Sequence, residues 1–168
     1  SEHPSDLKAL SADGMWVTGE TSVDEMKEDL RRLDLDPEVP ATKEGVIAIE
    51  QADCIVLGPG SFLTSIMPPL LLPEIGQAIA NNLKAKLVFV DNLSPEFGPA
   101  ARMTLHDRLS WCERACHARK VDVVLVDTPH PELNSDWNCV VTDLASANRD
   151  WRHDRTKLQK AIVTLLSN

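Results

Sequence analysis

The chain has 168 residues, 43% of them hydrophobic and 26% charged, with a formal net charge of −9 and a pI near 4.9. This length and composition suit one domain with a sizeable core and exclude a disordered chain. The acidic balance argues against broad electrostatic binding to nucleic acid or anionic lipid. The longest apolar run, Ile66 to Leu72, is broken by Pro68 and Pro69 and falls far short of the roughly 20 residues of a membrane helix, so no membrane association is expected.

In chain order, Leu7 to Leu10 and Met15 to Thr18 flank Asp13-Gly14, a strong turn dipeptide, and predict an N-terminal β-hairpin. Ser22 and Glu25 have capping-box spacing for a short helix, and the charged run Lys27 to Asp36 reads as solvated surface. Thr42 to Gln51 predicts a helix capped by Thr42 after Pro40. Cys54 to Leu57 is a continuous apolar run between Asp53 and Gly58, which predicts a strand buried on both faces of a parallel sheet.

The proline-rich Pro68 to Pro73 then leads into a helix from Glu74 to Leu83 and a buried strand from Leu87 to Val90, forming a βαβ unit. Leu93 to Ala100 is irregular. A helix over Thr104 to Arg119, a strand over Val121 to Val126, a last strand over Cys139 to Thr142 and an amphipathic helix over Asp154 to Leu166 complete the chain. The alternation predicts a Rossmann-like layered α/β sheet, mostly parallel, with residues 1–168 as one unit.

Cys54, Cys112, Cys116 and Cys139 lack Cys-x-x-Cys spacing and read as reduced thiols of a cytoplasmic protein. Cys112 and Cys116 lie one helical turn apart beside His117, but no second ligand pair at finger spacing accompanies them, so no metal site is assigned.

The most informative feature is the first parallel strand followed by Gly58-Pro59-Gly60-Ser61 and then Thr64 and Ser65. Ligands of open α/β sheets bind beyond the carboxyl ends of the strands, where glycines admit close approach and hydroxyls donate to phosphate oxygens. Read alone, these residues also fit a tight structural turn with capping hydroxyls. The turn is neither a Walker loop nor a Gly-x-Gly-x-x-Gly fingerprint, and Ser61 is not in a nucleophile elbow.

Asn92 ends the next strand on the same edge, either as a contact to base, sugar or phosphate or as a helix cap or Asx-turn. Asp127, Thr128 and His130 follow the third strand in a segment that Pro129 and Pro131 stiffen into a loop. Arg152-His153-Asp154-Arg155 precedes the last helix, where Asp154 can cap and the arginines can meet phosphate or solvent.

Taken together, these residues resemble the gluconeogenesis factor family (YvcK-like), within the broader CofD-like group of the 2-phospho-L-lactate transferase. The resemblance runs from Val39-Pro40-Ala41-Thr42 through the Gly-Pro-Gly-Ser-x-x-Thr-Ser-x-x-Pro block at Gly58 to Pro68, then Asn92-Leu93 and Trp151-Arg152-His153-Asp154. The long block is far more specific than a lone glycine motif.

The resemblance implies a cytoplasmic regulator that binds a UDP-sugar-type ligand and is linked to growth on gluconeogenic carbon and to cell shape. The contacts it implies are Gly58, Pro59, Gly60, Ser61, Thr64, Ser65, Asn92 and Arg152. A rival expectation is a Mg²⁺-dependent transferase, with Asp53 or Asp91 helping to hold the cation; a third is a structural half-domain without a ligand of its own.

The family's opening Gly-Gly-Gly-x-Gly loop and Asp-Asn-Gly-Gly-Ser segment have no counterpart here, so the chain matches the C-terminal portion of the family domain. Part of the sheet is then expected to be exposed and covered by association into a homo-oligomer. After Asn92 many relatives carry a Thr-Gln-x-Gly-Glu-Thr-like segment, whereas this chain reads Leu93-Ser94-Pro95-Glu96-Phe97-Gly98.

Overall fold

The computed structural model describes residues 1–130, 133 and 137–167. Its framework is a parallel four-stranded sheet in the order β4-β5-β6-β7, formed by Cys54–Leu57, Lys86–Val90, Val123–Val126 and Cys139–Val141. The two central strands carry the uninterrupted apolar runs that burial on both faces demands. Leu87, Phe89, Val124 and Val126 face the larger core, while Val88, Val90 and Leu125 face a smaller cluster completed by Leu144, Leu158 and Ile162.

The helices that enclose the sheet are fixed by local chemistry. Thr42 caps α2 (Lys43–Gln51), its hydroxyl accepting the Gly45 amide, as the sequence predicts. Met67–Leu70 (α3) and Pro73–Asn81 (α4) place prolines in their first turns, where a missing N–H leaves no helical bond unmade. Residues 62–66 already wind in a wide π-type turn into α3, so this stretch is helical rather than a proline-rich connector.

Thr104 and Asp107 form a reciprocal capping box at the start of α5 (Leu105–Ala115). This helix ends four residues before the expected Arg119, because His117 and Ala118 adopt positive φ and reverse the chain. The closing helix α6 (Arg155–Leu166) is capped by Asp154, which accepts the Thr156 and Lys157 amides.

The N-terminal part forms a separate antiparallel sheet, β2-β1-β3, that shares the larger core through Leu7, Ala9 and Leu33. Asp6–Ser11 (β1) and Trp16–Thr18 (β2) make the expected hairpin, with Gly14 at φ 89° in its turn. The charged run is not free surface: Leu30–Asp36 is strand β3, with Leu33 turned inward opposite Ala9 and Asp36 paired with Lys8 at 2.8 Å. The preceding helix α1 (Glu20–Asp24) has Gly19 as its N-cap, so Ser22 lies inside it and the Ser22–Glu25 capping box does not form.

Two further differences bear on the site. β4 lies at the sheet edge, and its Val56 is 38% exposed, so it is not buried on both faces. The stretch before α6, read as a connector, forms an antiparallel pair of β8 (Ala145–Ser146) and β9 (Arg149–His153).

Asp122 ties the starts of β5 and β6 together. Its carboxylate accepts the Leu87 amide at 2.7 Å and the Arg119 guanidinium at 2.7 and 3.0 Å. Partial burial pushes its pKa up, but the Arg119 and Leu87 hydrogen bonds outweigh burial and hold it below the ordinary carboxylate value. A lowered native pKa gives stability that is present above the unfolded value, about 3.9, and lost as pH falls through the native one. Asp122→Asn should therefore cost about 1 kcal/mol at neutral pH, a figure kept small by partial exposure, and the gap to wild type should close as pH falls below the ordinary carboxylate range in parallel denaturant titrations.

Gly58, at the end of β4, has φ 92°, and a Cβ there would lie 2.7 Å from the Val90 carbonyl oxygen of β5. Gly58→Ala should cost about 3 kcal/mol, from backbone strain plus the clash, read as a lowered denaturant midpoint. An unchanged midpoint would mean that the turn relaxes freely.

Candidate functional site

Because β4, β5 and β6 are parallel and adjacent, their carboxyl ends bring Gly58–Ser61, Asp91-Asn92 and Asp127 to one edge of the sheet. In open α/β sheets this is the edge at which ligands bind. The structure then shows which of these groups face a ligand and which hold one another.

Asn92 clamps the glycine turn. Its Oδ1 accepts the Gly60 amide at 3.1 Å and its Nδ2 donates to the Gly60 carbonyl at 2.9 Å. Nδ2 also donates to Glu96 Oε1 at 2.6 Å, and both Glu96 oxygens accept the Phe62 amide at 3.2 and 3.3 Å. Two amides that a phosphate could use are thus already engaged by side chains. Glu96 was not among the residues singled out from the sequence, although it lies in the segment whose departure from the family pattern was visible.

Behind the turn lies a buried ion pair. Arg108, from α5, donates from Nη1 to Asp91 Oδ1 at 2.8 Å and lies 3.8 Å from Glu96; the three side chains are 11%, 6% and 7% exposed. The His130 ring reaches Asp91 Oδ2 at 3.4 Å, and His153 Nε2 donates to the Asp91 carbonyl at 3.1 Å. Burial pushes the Glu96 pKa up, and the Asp91 charge adds to this; the Phe62 amide, Asn92 and Arg108 pull against it without prevailing. Burial likewise lowers the His153 pKa against the pull of the Asp91 carbonyl, Asp127 and the Asp91 charge.

His153 brings β9, and with it Arg152, alongside this edge. Arg152 is exposed and shares a pocket of about 290 Å³ with Ser146, Asn148, Arg149, His153, Arg155 and the carboxylate of Asp154. Among the described residues, no carboxylate pairs with any of the three arginines. Arg149, which also stacks over Trp151 at 5.7 Å, is an addition to the residues expected from sequence.

The other expected contacts are placed differently. The Thr64 hydroxyl donates to Asp24 Oδ2 at 3.3 Å, toward α1. Ser65 lines an apolar groove of about 360 Å³ beside β4, together with Gly58, Pro59, Val56 and Ile75. Asp127 accepts the Leu144 amide at 2.6 Å and the Ala145 amide at 3.2 Å, so it closes the entry to β8. Thr128 and Pro129 are exposed, and Pro131 of the same segment lies outside the described residues.

Asp53 precedes β4 at the opposite edge, about 20 Å along the strands from Asp91, so these two carboxylates do not share a cation. Among the described residues, no group of three or more His, Cys, Asp or Glu side chains could hold a metal ion. None of the four cysteines is in a disulfide; burial pushes the Cys112 thiol up to about 12 and the Cys116 thiol up to about 11, which disfavours the thiolates that metal binding requires. Among the described residues, no helix is long and apolar enough to cross a membrane.

Comparison with known proteins agrees with this architecture. A Vibrio cholerae protein provisionally named a gluconeogenesis factor is 71% identical over 168 residues, which is all of this chain and 57% of that protein. The gluconeogenesis factor of Bacillus subtilis is 32% identical over 123 residues, covering 73% of this chain and 38% of its own length. A crystal structure of a Bacillus halodurans protein superimposes with a TM-score of 0.83 at 29% identity, over 97% of this chain and 60% of that one. The chain spans about half the length of the curated relatives it matches. The model of the family described as 2-phospho-L-lactate transferase CofD matches residues 1–168, and the chain belongs to that family.

Proposed function

We propose that this chain carries part of the nucleotide-sugar site of a cytoplasmic gluconeogenesis factor, a regulator that binds a UDP-sugar-type ligand and links growth on gluconeogenic carbon to cell shape. One observation carries the reading. The Gly58–Ser61 turn, its Asn92 clamp and, through His153, the arginine-bearing strand β9 meet at one edge of the sheet. The gluconeogenesis factor name borne by the Bacillus subtilis relative points the same way.

In this reading Arg152, with Arg149 and Arg155 lining the same pocket, neutralises the diphosphate in a protein that is otherwise acidic. Gly58, Pro59, Gly60 and Ser61, at the same edge of the sheet, approach the diphosphate, and the Ser61 hydroxyl donates to a phosphate oxygen. Thr64 and Ser65 flank this turn. Asn92 acts through the turn and is a positioning residue. A second copy of the chain covers the apolar groove beside β4, which makes a homo-oligomer part of the reading.

The family description favours a second reading, Mg²⁺-dependent transfer of the 2-phospho-L-lactate type. Of its two candidate carboxylates only Asp91 lies at the site edge, where Oδ1 is held by Arg108. That engagement ranks binding above turnover.

Isothermal titration of UDP-N-acetylglucosamine into the full-length protein should give saturable heat without added Mg²⁺. Arg152→Ala should weaken binding by about tenfold or more, and Arg152→Lys by less, since lysine keeps the charge but loses the planar fork. Absence of heat with the wild-type protein would remove the reading. Metal-dependent turnover of a nucleotide diphosphate donor would establish the transferase in its place.

A further inference from the structure

Glu96 is a carboxylate almost removed from water, with 7% of its side chain exposed. It sits where donors converge: Phe62 N–H on both oxygens and Asn92 Nδ2 on Oε1. A carboxylate accepting amide and charge-assisted hydrogen bonds at such a point occupies the position that a phosphate oxygen would take. We propose that Glu96 is an internal anion of the glycine turn, competing with a ligand phosphate for the Phe62 amide, so that a phosphate enters the turn only as Glu96 gives that amide up. The inference rests on the reading of the turn as a phosphate site and adds its regulation.

The charges around Glu96 favour competition over sharing. Asp91, at the end of β5, and Arg108, from α5, face it directly. His130, after β6, and His153, on β9, reach Asp91 from the far side, and Asp24, on α1, reaches Thr64 on the neighbouring turn. Two carboxylates already share the Arg108 guanidinium, and burial disfavours a charged His153. A diphosphate arriving beside an ionised Glu96 meets like charge, and the buried side of that carboxylate, against Asp91 and Arg108, has little water to screen it.

Two routes release the amide. Glu96 lies in a segment without helix or strand, between exposed Pro95 and Phe97, so its side chain can turn outward without repacking the core. Burial also pushes its pKa up, so protonation neutralises it at a higher pH than for an exposed glutamate. By the linkage sign, a raised native pKa makes the ionised form a cost to stability at neutral pH that disappears in acid.

The test uses the full-length protein, wild type and Glu96→Gln. UDP-N-acetylglucosamine suits it because its diphosphate keeps both charges across the pH range examined. At pH 7.5 the variant should bind at least about fivefold more tightly than wild type. Wild-type affinity should rise more steeply than the variant's as pH falls below neutral, the histidines at Asp91 being common to both. Equal or weaker binding by Glu96→Gln would make Glu96 a strut of the turn and overturn the proposal.

Inorganic pyrophosphate at fixed pH 7.5 separates the two readings. Pyrophosphate binding that is tighter in the variant, with no binding of the nucleotide sugar to either protein, keeps the competition and removes the nucleotide-sugar reading. Binding of neither probe to either protein overturns both. Should Glu96→Gln fail to fold, the Phe62 amide resonance of the wild-type protein provides the readout: it should titrate with Glu96 ionisation and shift on adding pyrophosphate, and an amide that does neither refutes the competition.

Discussion

The buried pair between Asp91 and Arg108 is the constraint on which the carboxyl edge of the sheet depends. Asp91 ends β5, receives Arg108 from α5 and His130 from the segment after β6, and offers its carbonyl to His153 on β9. Three segments distant in sequence are therefore registered on the end of β5. Two opposite charges out of water are stabilising only when their remaining hydrogen-bonding capacity is met, and removing one partner typically costs about 3–5 kcal/mol. Arg108 Nε is buried and makes no hydrogen bond to the described residues, so the hydrogen bond to Asp91 runs through Nη1. A buried guanidinium that also lies 3.8 Å from Glu96 couples the core pair to the glycine turn.

That coupling changes the meaning of the turn. A glycine loop beyond a parallel strand is usually viewed as a row of donors open to an anion. Here the Gly60 amide belongs to Asn92 and the Phe62 amide to Glu96, while Gly58 is fixed by its closeness to the Val90 carbonyl. The turn is thus rigid and internally satisfied. Positive charge lies elsewhere: Arg149, Arg152 and Arg155 line a separate pocket, together with Asp154, that shares no residue with the turn.

The features legible in the sequence were those with one dominant physical cause. β5 and β6 are continuous apolar runs because both faces are covered, and Thr42 and Asp154 mark helix starts because unpaired amides need acceptors. β3 was hidden because Arg31, Arg32, Asp34 and Asp36 outnumber the inward Leu33, and what makes it a strand is pairing with β1. β8 and β9 were hidden for a similar reason: they pair with each other, both residues of β8 are half-buried, and β9 exposes Arg149 to Arg152, Trp151 included, so no alternation betrays them. At the site, Gly58, Gly60 and Asn92 stood out by position at strand ends. Glu96 and Arg108 did not, because their role arises from tertiary contacts between a loop and a helix interior that no local pattern records.

The edge position of β4 adds a last constraint. Its backbone pairs with β5 on one side, and Ile55, Val56 and Leu57 line an apolar groove that runs directly into Gly58, Pro59 and Ser65. Apolar side chains beside an unpaired strand edge gain stability when another segment covers them. Any segment that does so lies against the outer wall of the glycine turn, because the groove and the turn share Gly58 and Pro59. Gly58 is pinned against Val90, and Gly60 is bonded to Asn92, which also holds Glu96, so the groove and the Glu96 carboxylate border the same rigid turn from opposite ends.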